Sequence, residues 1–215
     1  MYAGRLQRYC AAAGMQHRLL LWPAYLPAIA FTVLVPLVFS LRNLDAYGAA
    51  QVLERFYCLV GVLLLVPLPL PEQGGPIRET VSARFTPQTG ILALRLVFTV
   101  IALAALVLLQ CGILLASGAT FPLGTYWFGT FVSALVLGSV GLCVYVATRN
   151  WVAGYLAPAT YFLLNTTLQS QLGRLNLFTL PDSPLTPKLW LLALGLLILA
   201  VTLAFHEIRR RTVSA

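Results

Sequence analysis

Few side chains in these 215 residues could do chemistry, and none stands in a catalytic spacing. The only histidines, His17 and His206, fall at the ends of apolar runs. No serine sits in a GxSxG turn and no HExxH pair occurs, so neither a nucleophile with its base nor a metal-activated water has a recognisable frame. Cys10, Cys58, Cys111 and Cys143 are far apart, with no CxxC pair and no Cys–His cluster. That spacing argues against a metal site and against a disulfide framework. No glycine-rich phosphate loop ending in Gly-Lys-Ser or Gly-Lys-Thr exists, and the single lysine, Lys188, is followed by Leu189. The chain therefore reads as a non-enzyme with no cofactor of its own. Any ATP that drives it must be hydrolysed by another chain.

Three groups of polar residues remain. The first is the segment 72–89, with Glu72, Arg78, Glu79 and Arg84. Pro76 and Pro87 bound a stretch in which Ile77, Val81 and Phe85 recur at i, i+4 and i+8. That pattern predicts a short helix with one apolar face and polar flanks, suited to docking on another protein, against a solvated loop with stray charges. The second group is Tyr155, Tyr161, Asn165, Thr166 and Gln169, beside a kink expected at Pro158. These residues are candidates to line a substrate path, the alternative being hydrogen bonds within a packed bundle. The third is Glu54 and Arg55, in the first turns of an apolar run, as candidates for pairing with charges in a second copy. The acids otherwise fall near the ends of apolar runs, and no ionisable group is expected at the centre of a span.

The elements that position these groups follow from composition. The chain is 60% hydrophobic and 9% charged, where soluble domains carry about 25% charge. Such a chain cannot cover itself with a water-facing surface, so its solvent is lipid. The net charge of +8 fits membrane topology better than nucleic-acid binding, because the basic residues flank apolar runs. The expected architecture is an all-α integral membrane protein, one domain over 1–215, with six spans at about 19–41, 49–70, 90–117, 126–148, 151–169 and 189–205. Residues 1–18 carry Leu6, Tyr9, Cys10 and Ala13 on one face, as in a helix lying in the membrane interface. Gly138, Ser139 and Gly141 are small enough for close helix contact. Cytoplasmic placement of both ends puts Arg5, Arg8, Arg18, Arg78, Arg84, Arg95, Arg149, Arg209, Arg210 and Arg211 inside. It leaves Arg42, Arg55, Arg174 and Lys188 outside, the last two in an extracellular link over 170–188. This inward bias supports an N-in, C-in, multi-pass protein.

This layout resembles the membrane subunits, or permeases, of type-2 ABC transporters, mostly exporters. The local resemblance rests on Glu72, Gly75, Glu79, the pair Thr86-Pro87, and Arg95 entering span 3. In that family an acid leads into a cytoplasmic coupling helix between spans 2 and 3, and short re-entrant helices lie outside between spans 5 and 6. The two long links of this chain fall in those two places. The Gly74-Gly75-Pro76 entry is stiffer than the usual one, and the extracellular portion is minimal. The resemblance implies a bacterial inner or plasma membrane location. It also implies a second permease copy or paralogue as dimer partner, and an ABC ATPase subunit holding ATP and Mg. Coupling to that ATPase would run through Glu72, Ile77, Arg78, Glu79, Val81, Arg84 and Phe85. The competing readings are an ion-coupled secondary carrier or channel, marked by a buried ionisable group, and a membrane scaffold without transport.

Overall fold

A computed structural model describes residues 22–39, 43–69, 88–169, 171–180 and 186–213. Within them the chain forms six helical rods and no strand. We label these α1 (Trp22–Val38), α2 (Ala46–Leu65), α3 (Gln88–Ala116), α4 (Leu123–Thr148), α5 (Trp151–Thr167) and α6 (Thr186–Val213). A single 3-10 turn, Gly173–Leu175, lies between α5 and α6. Four rods hold stretches long and apolar enough to cross a membrane: α2, α3 over Leu92–Ala116, α4, and α6 over Thr186–Arg209. The described parts of α1 and α5 are 17 residues each. The interfacial helix expected over 1–18 lies outside the described residues. So do Glu72, Ile77, Arg78, Glu79, Val81, Arg84 and Phe85 of the coupling segment.

Local sequence sets where the rods begin and end. Asp45 caps α2, its carboxylate accepting the Gly48 N–H at 2.8 Å. After Leu65 the chain turns over 66–69, where Pro67 and Pro69 cannot donate to a helix ladder. Arg149 ends α4 in the left-handed region, φ 56°, and Asn150 then caps α5 through the Val152 N–H at 2.9 Å. One residue pair thus separates two long helices. The described part of the last helix begins at Thr186, so Thr186, Pro187 and Lys188 are helical ahead of the expected 189. It continues past Phe205 to Val213, so 206–213 is helical and not a tail.

The rods run up and down between two ends. At one end Asn43 N–H donates to Ser117 O, Thr120 N–H to Leu44 O, and Tyr126 Oη to Ala46 O. At the other, Arg209 donates to the Val146 and Ala147 carbonyls at the close of α4. The helix α4 is the hub, packing on α2, α3, α5 and α6. Its spanning stretch is 72% buried, against 22% for α6, whose outward face carries Leu189, Trp190, Leu196, Leu197, Val201, Phe205 and Ile208. An outer surface of that kind matches lipid and not water.

Small residues let the inner rods touch backbone to backbone. A Cβ added to Gly61 of α2 would meet the Ala134 backbone of α4, and Gly138 faces Gly61 in return. Gly141 of α4 meets Gly154 of α5 in the same way, with the Gly154 carbonyl 2.7 Å from an added Cβ. On the other flank Tyr57 of α2 pairs with Thr32 of α1 at 2.9 Å and donates to Leu106 O of α3 at 2.9 Å.

Candidate functional site

The site grows from an irregular stretch of α2. Residues Ala46–Ala50 are α-helical, Gln51–Phe56 form a π-helix, Tyr57–Leu59 a 3-10 turn, and Val60–Leu65 resume the α-helix. π-Helical turns inside helices occur mostly at functional places, because the widened turn re-aims a side chain. Here that stretch carries Glu54, 2% exposed. It lies eight residues into the rod, about 12 Å at 1.5 Å per residue.

Its partner is Lys188, in the first turn of α6 and also 2% exposed, with which it forms an ion pair. Two charges out of water need their remaining hydrogen-bonding capacity filled. The Glu54 carboxylate accepts the Leu180 N–H at 3.0 Å and the Thr179 N–H at 3.3 Å. The Lys188 ammonium has three donors, and they go to Glu54, to Ser133 Oγ of α4 at 2.8 Å, and to the Leu177 carbonyl. Ser133 in turn donates to Leu177 O at 3.1 Å. No capacity of the ammonium is left over.

This network fastens the non-helical backbone of 176–180, which is buried against the bundle. Backbone outside a helix survives in a membrane interior only where protein or a water-lined cavity satisfies it. Beyond the groups held by Glu54, Lys188 and Ser133, Leu177 N–H donates to Asn165 Oδ1 at 2.8 Å and Phe178 N–H to Asn176 Oδ1 at 2.9 Å. Gln169 Nε2 reaches Phe178 O at 3.2 Å, and Tyr161 Oη reaches Leu175 O at 2.8 Å. The Arg55 guanidinium stands 5.9 Å from the centre of the Phe178 ring, within cation–π range.

Two expectations about charge are corrected. Glu54 was a candidate to pair with a second copy, but it pairs with Lys188 of its own chain. Lys188, counted in an outer link, is inside the bundle, buried together with Glu54. The sequence reading missed Ser133 and the carboxylate's backbone partners. A usable signal existed, since a lone acid in an apolar run and the chain's single lysine beside another are opposite charges that lipid would force together.

The five α5 and post-α5 candidates divide. Tyr161, Asn165 and Gln169 all hold the 171–180 segment. Thr166 is exposed and donates to Phe162 O of its own helix at 3.0 Å. Tyr155 is half-buried, edge-on to Trp151 with ring centres 6.4 Å apart. Among the described residues no three His, Cys, Asp or Glu side chains come together as a metal site would require.

Comparison of the chain with protein-family models, with curated proteins and with solved structures finds no match.

Proposed function

We propose that this chain is the membrane-spanning permease of an ATP-driven transporter of the type-2 ABC kind, exporting its substrate with the help of a separate ATPase subunit. In this reading the six rods are six spans of a bacterial inner or plasma membrane, with both chain ends in the cytoplasm. A second copy or paralogue completes the path. The observation that carries the reading is the segment 171–180: the link between α5 and α6 folds back into the bundle, where the permeases this sequence resembles have their re-entrant element. The coupling segment would dock on the ATPase through Ile77, Val81 and Phe85, with Glu72, Arg78, Glu79 and Arg84 as polar contacts. ATP-driven closure of two ATPase subunits would then rock the spans between two states. Tyr155, Tyr161, Asn165, Thr166 and Gln169 would lie along the path, with Tyr161, Asn165 and Gln169 holding the segment 176–180 over its outer mouth.

One observation favours a second reading. A buried ionisable pair inside the bundle is what an ion-coupled carrier would use. Saturation of that pair by Ser133, Leu177, Thr179 and Leu180 weighs against a group that must exchange protons with water. The deciding experiment is a mild-detergent pull-down of the tagged chain from its native membrane, with mass spectrometry of the companions. The permease reading expects a stoichiometric soluble ATPase, lost when Glu79 or Phe85 is substituted. A chain that purifies alone in every mild detergent moves the assignment to a carrier or a scaffold.

A further inference from the structure

The helices α2 and α6 both pack on α4 but have no extensive contact with each other. What joins them is the Glu54–Lys188 pair, and the 176–180 segment is captured in the same contact. Glu54 holds the segment by its Thr179 and Leu180 N–H groups, and Lys188 holds it by the Leu177 carbonyl. Three elements therefore meet at one charged contact set within the apolar core that Leu177, Phe178 and Leu180 join. A contact of this kind is close to all-or-none. Half-separated charges in a low dielectric are stabilised neither by each other nor by water, so intermediate separations are unfavourable. The π-helical turn around Glu54 adds a place where α2 can change its winding without breaking its rod.

We propose that the Glu54–Lys188 pair is a latch. Closed, it seats 176–180 between α2, α4 and α6. Parted, it frees that segment and lets the first turn of α6 move away from α2, opening the bundle at this end. The inference rests on the transport reading, in which this end must open and shut around a substrate.

The test uses spin labels on Tyr47→Cys in the first turn of α2, 57% exposed, and Leu189→Cys in the first turn of α6, 54% exposed. The full chain carries them with Cys10, Cys58, Cys111 and Cys143 replaced, in vesicles of phosphatidylethanolamine and phosphatidylglycerol. Pulsed electron paramagnetic resonance then reads the distance distribution. A latch gives one main distance and a minor, longer one, and Glu54→Gln raises the longer population at least about tenfold. The neutral double variant Glu54→Gln/Lys188→Met does the same, and it keeps the measurement available if an unpaired Lys188 prevents folding. A single sharp distance in every variant, or only featureless broadening, overturns the latch and makes the pair a fixed brace. The readout needs no ATPase. A negative result here therefore leaves the pull-down free to sustain the permease reading, and a chain that purifies alone yet shows two distances keeps the latch while losing ATP-driven export.

Discussion

At the residue scale Glu54 and Lys188 form a buried ion pair, and the consequences of removing each partner differ. Breaking a buried pair by deleting one member costs about 3–5 kcal/mol, because a charge is left without compensation. Glu54→Gln strands the Lys188 ammonium on Ser133 and a carbonyl. Lys188→Met leaves the Glu54 carboxylate with two backbone N–H donors, so it is the milder of the two. The double variant, with both charges of the pair removed, falls well short of the sum. Thermal unfolding of the four proteins in one detergent closes this cycle, and simple additivity would mean the two groups do not act on each other. Asn165→Leu removes the side-chain acceptor of the buried Leu177 N–H and is expected to cost about 1–3 kcal/mol. Thr166→Ala, on an exposed hydroxyl that only touches its own helix, stays within about 0.5 kcal/mol. The sequence made Glu54 visible as an acid in an apolar run and Lys188 as a singular lysine. It could not make their meeting visible, since they are 134 residues apart and only the fold brings them together.

At the element scale the rods themselves were legible, because an apolar run of about 20 residues has few fates other than a helix. Their ends were less so. Residues 186–188 are helical ahead of the expected 189, and the helix runs on to Val213, with Arg209 donating to the α4 carbonyls on the way. The π-helical stretch of α2 left no mark in composition at all. Small residues were better signals, and Gly138 and Gly141 do sit where α4 meets the backbones of Gly61 and Gly154. Gly61→Ala pushes a methyl into the Ala134 backbone, which cannot step aside as a side chain would. We expect a loss of about 1–3 kcal/mol and a lower midpoint of thermal aggregation by size-exclusion chromatography. Gly112→Ala, on the exposed face of α3 with nothing within 4 Å of the added carbon, is the control and should match or slightly exceed the parent. A Gly61→Ala midpoint equal to that of Gly112→Ala would show that this crossing does not govern stability.

At the scale of the whole molecule the open question is which end faces the cytoplasm, and one labelling experiment bears on both orientation and mechanism. Gly124, near the start of α4, is exposed at the end that holds the Glu54–Lys188 network, and Arg149 is exposed at the opposite end. The close of α2 and the start of α3, the two ends that residues 70–87 connect in sequence, lie at the Arg149 end. Arginines at that end argue for the cytoplasm, since the insertion machinery retains basic flanks inside. In a chain without its native cysteines, Gly124→Cys should therefore react with a membrane-impermeant maleimide in intact cells. Arg149→Cys should react only after the membrane is opened. The reverse pattern would place the link between α2 and α3, proposed to couple to the ATPase, outside the cell and beyond reach of any ATP-bound partner. It would remove the permease reading without disturbing the bundle, the ion pair or the seated segment, all of which follow from packing and charge whichever way the molecule is inserted.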